Sequence, residues 1–175
     1  MAENSNTTGR DISLEEAVVK KLMEKGYRIS FAESCTGGML PARIINVADA
    51  SKVIDESVVT YSNEAKMKYA GVNAKTIEDY NVVSEEVAAE MARGRALQAG
   101  TKVAASTTGY AGPSGGATQV LPDGRTVDIP MGTVCFGFYV DGKVTTSTKV
   151  FKGMTRNEVR EAATEYSLKT LLTLL

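Results

Sequence analysis

Apolar and polar positions along the chain alternate between a helical rhythm and a strand rhythm. Ser13 and Glu16 form a capping box, and Ala17, Val18, Leu22 and Met23 then recur at helical spacing until Gly26 stops the helix. Residues 28–33 read as a first strand. The pair Gly37-Gly38 precedes a short helix whose apolar face would be Met39, Leu40, Ile44, Ile45 and Val47. Pro41 is tolerable there because it falls in the first turn. Residues 57–61 predict a second strand, and Asn63 an N-cap for a helix through Tyr69 that Gly71 ends. A small helix over 74–80 and a stronger one from Ser84 to about Gln98 follow, then a third strand over 102–108. Residues 133–140 and 143–151 form a hairpin about Asp141-Gly142. Thr155 and Glu158 cap a last helix, with Val159, Ala162, Ala163, Tyr166, Leu168 and Leu171 among its apolar positions.

Between 109 and 131 no period holds, and so long a stretch in a compact domain points to a functional loop. Strands separated by helices, then a hairpin and a closing helix, predict a three-layer α/β/α sandwich: a mixed, mostly parallel sheet with a C-terminal hairpin plus helix. Residues 12–175 read as one domain behind a disordered leader, 1–11, rich in Asn, Ser and Thr. Ligands of such sheets lie at the carboxyl ends of the parallel strands. Three parallel-type strands end in Ser34, Tyr61 and Thr108, so the three most unusual loops are expected on one edge.

Charge narrows the partners. Twenty Lys and Arg against 21 Asp and Glu give a net charge of -1, and no electrostatic reason to expect nucleic acid. No apolar run approaches the roughly 20 residues of a membrane span, and the N-terminus lacks the apolar core of a signal peptide. Cys35 and Cys135 match no disulfide or metal spacing, so free thiols, no structural zinc and a cytoplasmic location are expected.

The chain of 175 residues contains no histidine, and this decides the candidate chemistry. Ser34 and Cys35 stand at a strand-to-helix turn followed by two glycines. If either is a nucleophile, its proton must pass to a lysine, a tyrosine or a carboxylate. The amides of residues 35–38 could face an oxyanion or a phosphate. The plainer alternative makes Ser34 or Thr36 an N-cap and the glycines a turn. With Asn63 as cap, Lys66 falls at the third helical position, where the helix dipole disfavours an ammonium. A base working near neutrality must drop by roughly three units from about 10.4, about 4 kcal/mol. The helix terminus supplies about 1 kcal/mol, so desolvation or a nearby cation must supply most of the rest. Tyr61 could relay a proton or orient the serine hydroxyl; the alternatives are a solvated lysine and a core tyrosine with a wet hydroxyl. Gly109, Gly112, Gly115 and Gly116 would let a ligand approach the loop after the third strand, which is not a P-loop. Arg156 and Arg160 oppose the dipole of the last helix and so need another role: an anion, an ion pair with Glu158 or Glu161, or a subunit contact.

Five ordered segments together resemble the CinA C-terminal domain family, whose characterised members include nicotinamide-nucleotide amidase. They are Ala32-Glu33-Ser34-Cys35-Thr36-Gly37-Gly38, Thr60-Tyr61-Ser62-Asn63-Glu64-Ala65-Lys66, Val83-Ser84-Glu85-Glu86-Val87-Ala88, Thr108-Gly109-Tyr110-Ala111-Gly112-Pro113-Ser114-Gly115-Gly116 and Met131-Gly132-Thr133-Val134. The resemblance runs over about residues 13–175. It implies hydrolysis of the carboxamide of nicotinamide mononucleotide to nicotinate mononucleotide and ammonia, without metal or cofactor. Ser34 would be the nucleophile, with Lys66 and Tyr61 as its activating partners. Thr36, Gly37, Gly38, Thr108, Gly109, Gly112, Gly115 and Gly116 would line the substrate site, and Arg156 is a candidate for the phosphate. It also implies a homo-oligomer. Tyr110 stands where the family usually has a small aliphatic residue, Ser114 where it often has glycine, and residues 119–130 lengthen the link that follows, an extra hairpin with Pro122-Asp123-Gly124 as its turn that could be a lid, an oligomer contact or a change in substrate. The family's N-terminal nucleotide-processing domain has no counterpart here, so none of its activity is expected. The other reading is a catalytically silent nucleotide-binding or assembly module of the same fold.

Overall fold

A computed structural model describes residues 12–175; the leader expected over 1–11 lies outside the described residues. Five strands form one sheet: β1 (Ile29–Glu33), β2 (Ile54–Val59), β3 (Val103–Gly109), β6 (Thr133–Val140) and β7 (Lys143–Val150). Their order is β2-β1-β3-β6-β7. The first three run parallel, while β6 and β7 are antiparallel to their neighbours. The sheet is therefore mixed, as the pattern predicted.

Helices cover both faces. β1 is buried throughout, and its side chains alternate between the layers. Ile29 and Phe31 join one core with α1 (Leu14–Lys25), α2 (Met39–Ile45) and α6 (Arg156–Leu174). Ala32 joins the other with α3 (Asn63–Ala70) and α5 (Glu85–Ala99), which α4 (Ala74–Tyr80) flanks. Both expected capping boxes form, at Ser13 and at Thr155. Two glycines set the distance between layers. A Cβ on Gly94 would stand 1.9 Å from the carbonyl oxygen of Ala70, and one on Gly137 would stand 2.1 Å from that of Ala88. α3 thus rests on α5, and α5 on β6, backbone to backbone.

Four expectations need correction. β2 starts at Ile54, three residues early, because Asp55 and Glu56 are poor strand formers held by Arg28 and Arg95. Ser62, not Asn63, caps α3, its hydroxyl accepting the Ala65 N–H, which moves Lys66 one position deeper. Ile45 points to solvent, since α2 has only two turns and buries Leu40 and Ile44. The functional loop expected over 109–131 is not all loop: β4 (Ala117–Val120) and β5 (Thr126–Ile129) pair as a separate antiparallel hairpin about the turn expected at Pro122-Asp123-Gly124. Four-residue strands are too short for an alternation to register.

Candidate active site

β1 delivers Ser34 to the sheet edge. Its N–H bonds to the Thr107 carbonyl at 3.0 Å, so the β1–β3 ladder extends to the residue itself. The chain then turns at once. The Gly37 N–H closes on the Ser34 carbonyl at 3.1 Å, and the backbone passes through positive φ at Gly37 (61°) and Gly38 (92°), where a side chain would be strained.

Three groups hold this turn. Glu33, fully buried, swings its carboxylate to the start of α2, where it accepts the Leu40 N–H at 3.2 Å and faces the Gly38 and Met39 amides and the Thr36 hydroxyl. Burial pushes its pKa above the ordinary carboxylate range, against those hydrogen bonds. Thr36 Oγ1 lies 2.7 Å from Thr107 Oγ1 inside the sheet. From α6, Arg160 Nε donates to the Cys35 carbonyl at 3.0 Å and Nη2 to the Thr36 carbonyl at 3.2 Å. The amides of Gly37 and Gly38 are therefore taken up internally, while those of Cys35 and Thr36 have no oxygen acceptor among the described residues.

Lys66 meets Ser34 from the other layer. Only 1% exposed, it places Nζ 3.0 Å from Ser34 Oγ and 2.7 Å from the Thr60 carbonyl. Among the described residues no carboxylate lies within ion-pair distance of it. Burial without a counter-charge pushes its pKa down to about 8. When the amine is neutral, its lone pair can accept the Ser34 proton while an N–H still donates to Thr60. Thr60 is itself fixed, its N–H bonding to the Glu33 carbonyl at 2.7 Å and its hydroxyl to the same oxygen at 3.2 Å. Cys35 is a poor rival nucleophile: burial raises its thiol to about 12, so it stays protonated beside an amine near 8.

A cleft of about 220 Å³ opens on this pair, with Tyr61, Thr108, Gly109 and Arg156 in its walls. Tyr61 is 63% exposed; its hydroxyl accepts from Arg156 Nη2 at 2.7 Å and bonds neither Ser34 nor Lys66. Arg156 Nη1 donates to the Gly112 carbonyl at 2.7 Å, tying α6 to the glycine loop. The Thr108 hydroxyl is spent on the Val82 carbonyl. Gly115 lies against the Tyr110 ring, and Gly116 against the Ile129 carbonyl, so both support the loop from behind. Thr36, Gly37, Gly38, Gly112, Gly115 and Gly116 do not line the cleft. Asn63, Val82, Val83, Tyr110, Ala111 and Ser114 do. Of these, Val82 and Val83 carried no signal beyond being an apolar pair before a cap. Two larger hollows lie between α2 and α6 and beneath the β4–β5 hairpin; in the second the Thr148 hydroxyl donates to the Glu85 carboxylate at 2.7 Å.

The family described as CinA C-terminal domain matches residues 11–175. A protein of Alkaliphilus oremlandii, named as competence-damage inducible, is 50% identical over 161 residues, which cover 92% of this chain and 37% of the relative. A CinA-like protein of Kosmotoga olearia is 47% identical over 156 residues, 89% of this chain and 35% of its own length. The chain thus spans little more than a third of these relatives. Among solved structures, the competence damage-inducible protein A of Klebsiella pneumoniae superposes with a TM-score of 0.81 at 37% identity, covering 91% of this chain and 93% of that one.

Proposed function

The chain belongs to the family of CinA C-terminal domains, and from that premise and the chemistry of the cleft we propose that it is a serine amidohydrolase acting on nicotinamide mononucleotide. One observation carries the reading: a buried Lys66 amine, with no carboxylate in ion-pair reach among the described residues, 3.0 Å from the Ser34 hydroxyl in a chain without histidine. Ser34 Oγ attacks the carboxamide carbon as its proton passes to Lys66 Nζ. The tetrahedral oxyanion is met by the Cys35 amide, which has no oxygen acceptor among the described residues and belongs to the residue of the turn, after Ser34, that borders the cleft. Lys66 returns the proton to the departing nitrogen, which leaves as ammonia, and the acyl group stays on Ser34. Water then attacks the ester, Lys66 takes its proton, and collapse restores the serine hydroxyl and releases the carboxylate. Arg156, at the mouth of the cleft, is the cation available to the substrate's phosphate.

Purified protein incubated with nicotinamide mononucleotide should release ammonia, and Ser34→Ala should abolish it. Lys66→Met should lower kcat by about 10³-fold, within the range for a lost general base. Ammonia release unchanged in Ser34→Ala would sink the serine mechanism. The silent-module reading draws on Tyr110, which fills part of the cleft wall; saturable nucleotide binding without ammonia would favour it.

A further inference from the structure

We propose that Arg160 is a positioning residue for the nucleophile turn: from α6 it fixes the peptide planes that present the oxyanion-binding amide beside Ser34. The inference rests on the serine reading above. Arg160 is the side chain that reaches both carbonyls of the turn, Cys35 through Nε at 3.0 Å and Thr36 through Nη2 at 3.2 Å. Its third contact, Nη1 to Asn157 Oδ1 at 3.4 Å, orients the guanidinium from its own helix. Among the described residues it makes no ion pair, so its charge is met only by the two turn carbonyls and the Asn157 amide oxygen.

A trans peptide is planar, so a carbonyl pulled one way sends the next N–H the other way. Holding the Cys35 carbonyl sets the direction of the Thr36 N–H, which faces the buried Cys35 sulfur. Holding the Thr36 carbonyl sets the Gly37 N–H, which closes the turn on the Ser34 carbonyl and so fixes the N–H of the same peptide, that of Cys35, the oxyanion donor. The rigid fork of a guanidinium spans two carbonyls at once, whereas an ammonium has no such fork. A Cβ on Gly37 would only touch Arg160 Nη2, at 3.4 Å, so it is the positive φ of 61° that calls for glycine at this point of the turn.

The test uses two readouts on the full chain, ammonia release and the rate at which a fluorophosphonate labels Ser34, followed by mass spectrometry. In Arg160→Met, both kcat and the labelling rate should fall about 100-fold, the usual scale for a lost or misplaced oxyanion donor. KM should stay within about twofold, and the pH midpoint of the rate should not move, since Lys66 is untouched. Arg160→Lys, which keeps the charge and guards against a folding failure, should still lose at least about tenfold in labelling. Wild-type protein that labels while both variants label as fast overturns the role of Arg160 alone. Wild-type protein that does not label at all overturns the serine reading and this role with it.

Discussion

A lysine can serve as a base near neutrality only if something keeps its proton weakly held, and at Lys66 that something is burial without a counter-charge. Two expectations follow at this scale. The rate should rise with pH along a limb centred near 8 and level off above it, because the neutral amine is the working form. About a tenth of the lysines would be neutral at pH 7. Stability should carry the same signature. The folded pKa lies below the unfolded 10.5, so between about 8 and 10.5 the unfolded chain binds more protons and folding is favoured as pH rises. Below pH 8 the charged lysine costs on the order of 3 kcal/mol. Lys66→Met should therefore be more stable than wild type at pH 7 in urea titrations, and its advantage should shrink by pH 10.5; an advantage that stays constant would contradict this. The missing histidine made Lys66 legible in the sequence, and Ser34 with it. Glu33 was not: nothing in a strand-ending glutamate announces that its carboxylate will fold back onto the amides of the following helix.

Among elements, the distance between nucleophile and base is a packing distance. Ser34 ends β1, Lys66 rides on α3, and α3 is placed by the contact of Gly94 with the Ala70 carbonyl. Gly94→Ala should push α3 off α5, destabilising the fold by about 2 kcal/mol or more and lowering ammonia release with it. Chemical denaturation and the turnover assay would show both; a fully active, equally stable variant would rule out this account of the base's position. Helix ends were readable because caps are local: Ser13, Ser84 and Thr155 all cap as their spacing suggests. The Ser62 cap was missed because two good capping residues stand side by side and only the backbone's exit from β2 chooses between them. Gly94 and Gly137 were unreadable, since a glycine kept for a neighbour's backbone looks like any other until the neighbour is known.

Across the whole molecule, three layers converge on one cleft. The sheet supplies Ser34, the α3 layer supplies Lys66, and α6 from the opposite layer supplies Arg156 and Arg160. The β4–β5 hairpin stands apart: it forms its own sheet, reaches α4 through Gln119, and contributes no residue to the cleft. Replacing residues 119–128 with a short turn should therefore leave kcat within about threefold, as for other surface insertions. A loss beyond tenfold in the same assay would show that the hairpin reaches the site after all. Convergence of loops at the strand ends followed from topology alone. The arrival of α6 did not, because either face can take a C-terminal helix and only its packing with α1 and α2 fixes which.

The bonds around the reacting pair close on themselves: Lys66 is tied to Thr60, Thr60 to the carbonyl of Glu33, and Glu33 covalently to Ser34. A circuit of that kind leaves its members no independent travel. What stays free is one rotor, the Cα–Cβ bond of Ser34, which carries the oxygen between amine and substrate. Turnover at this centre would then be a matter of a single torsion against a stationary frame.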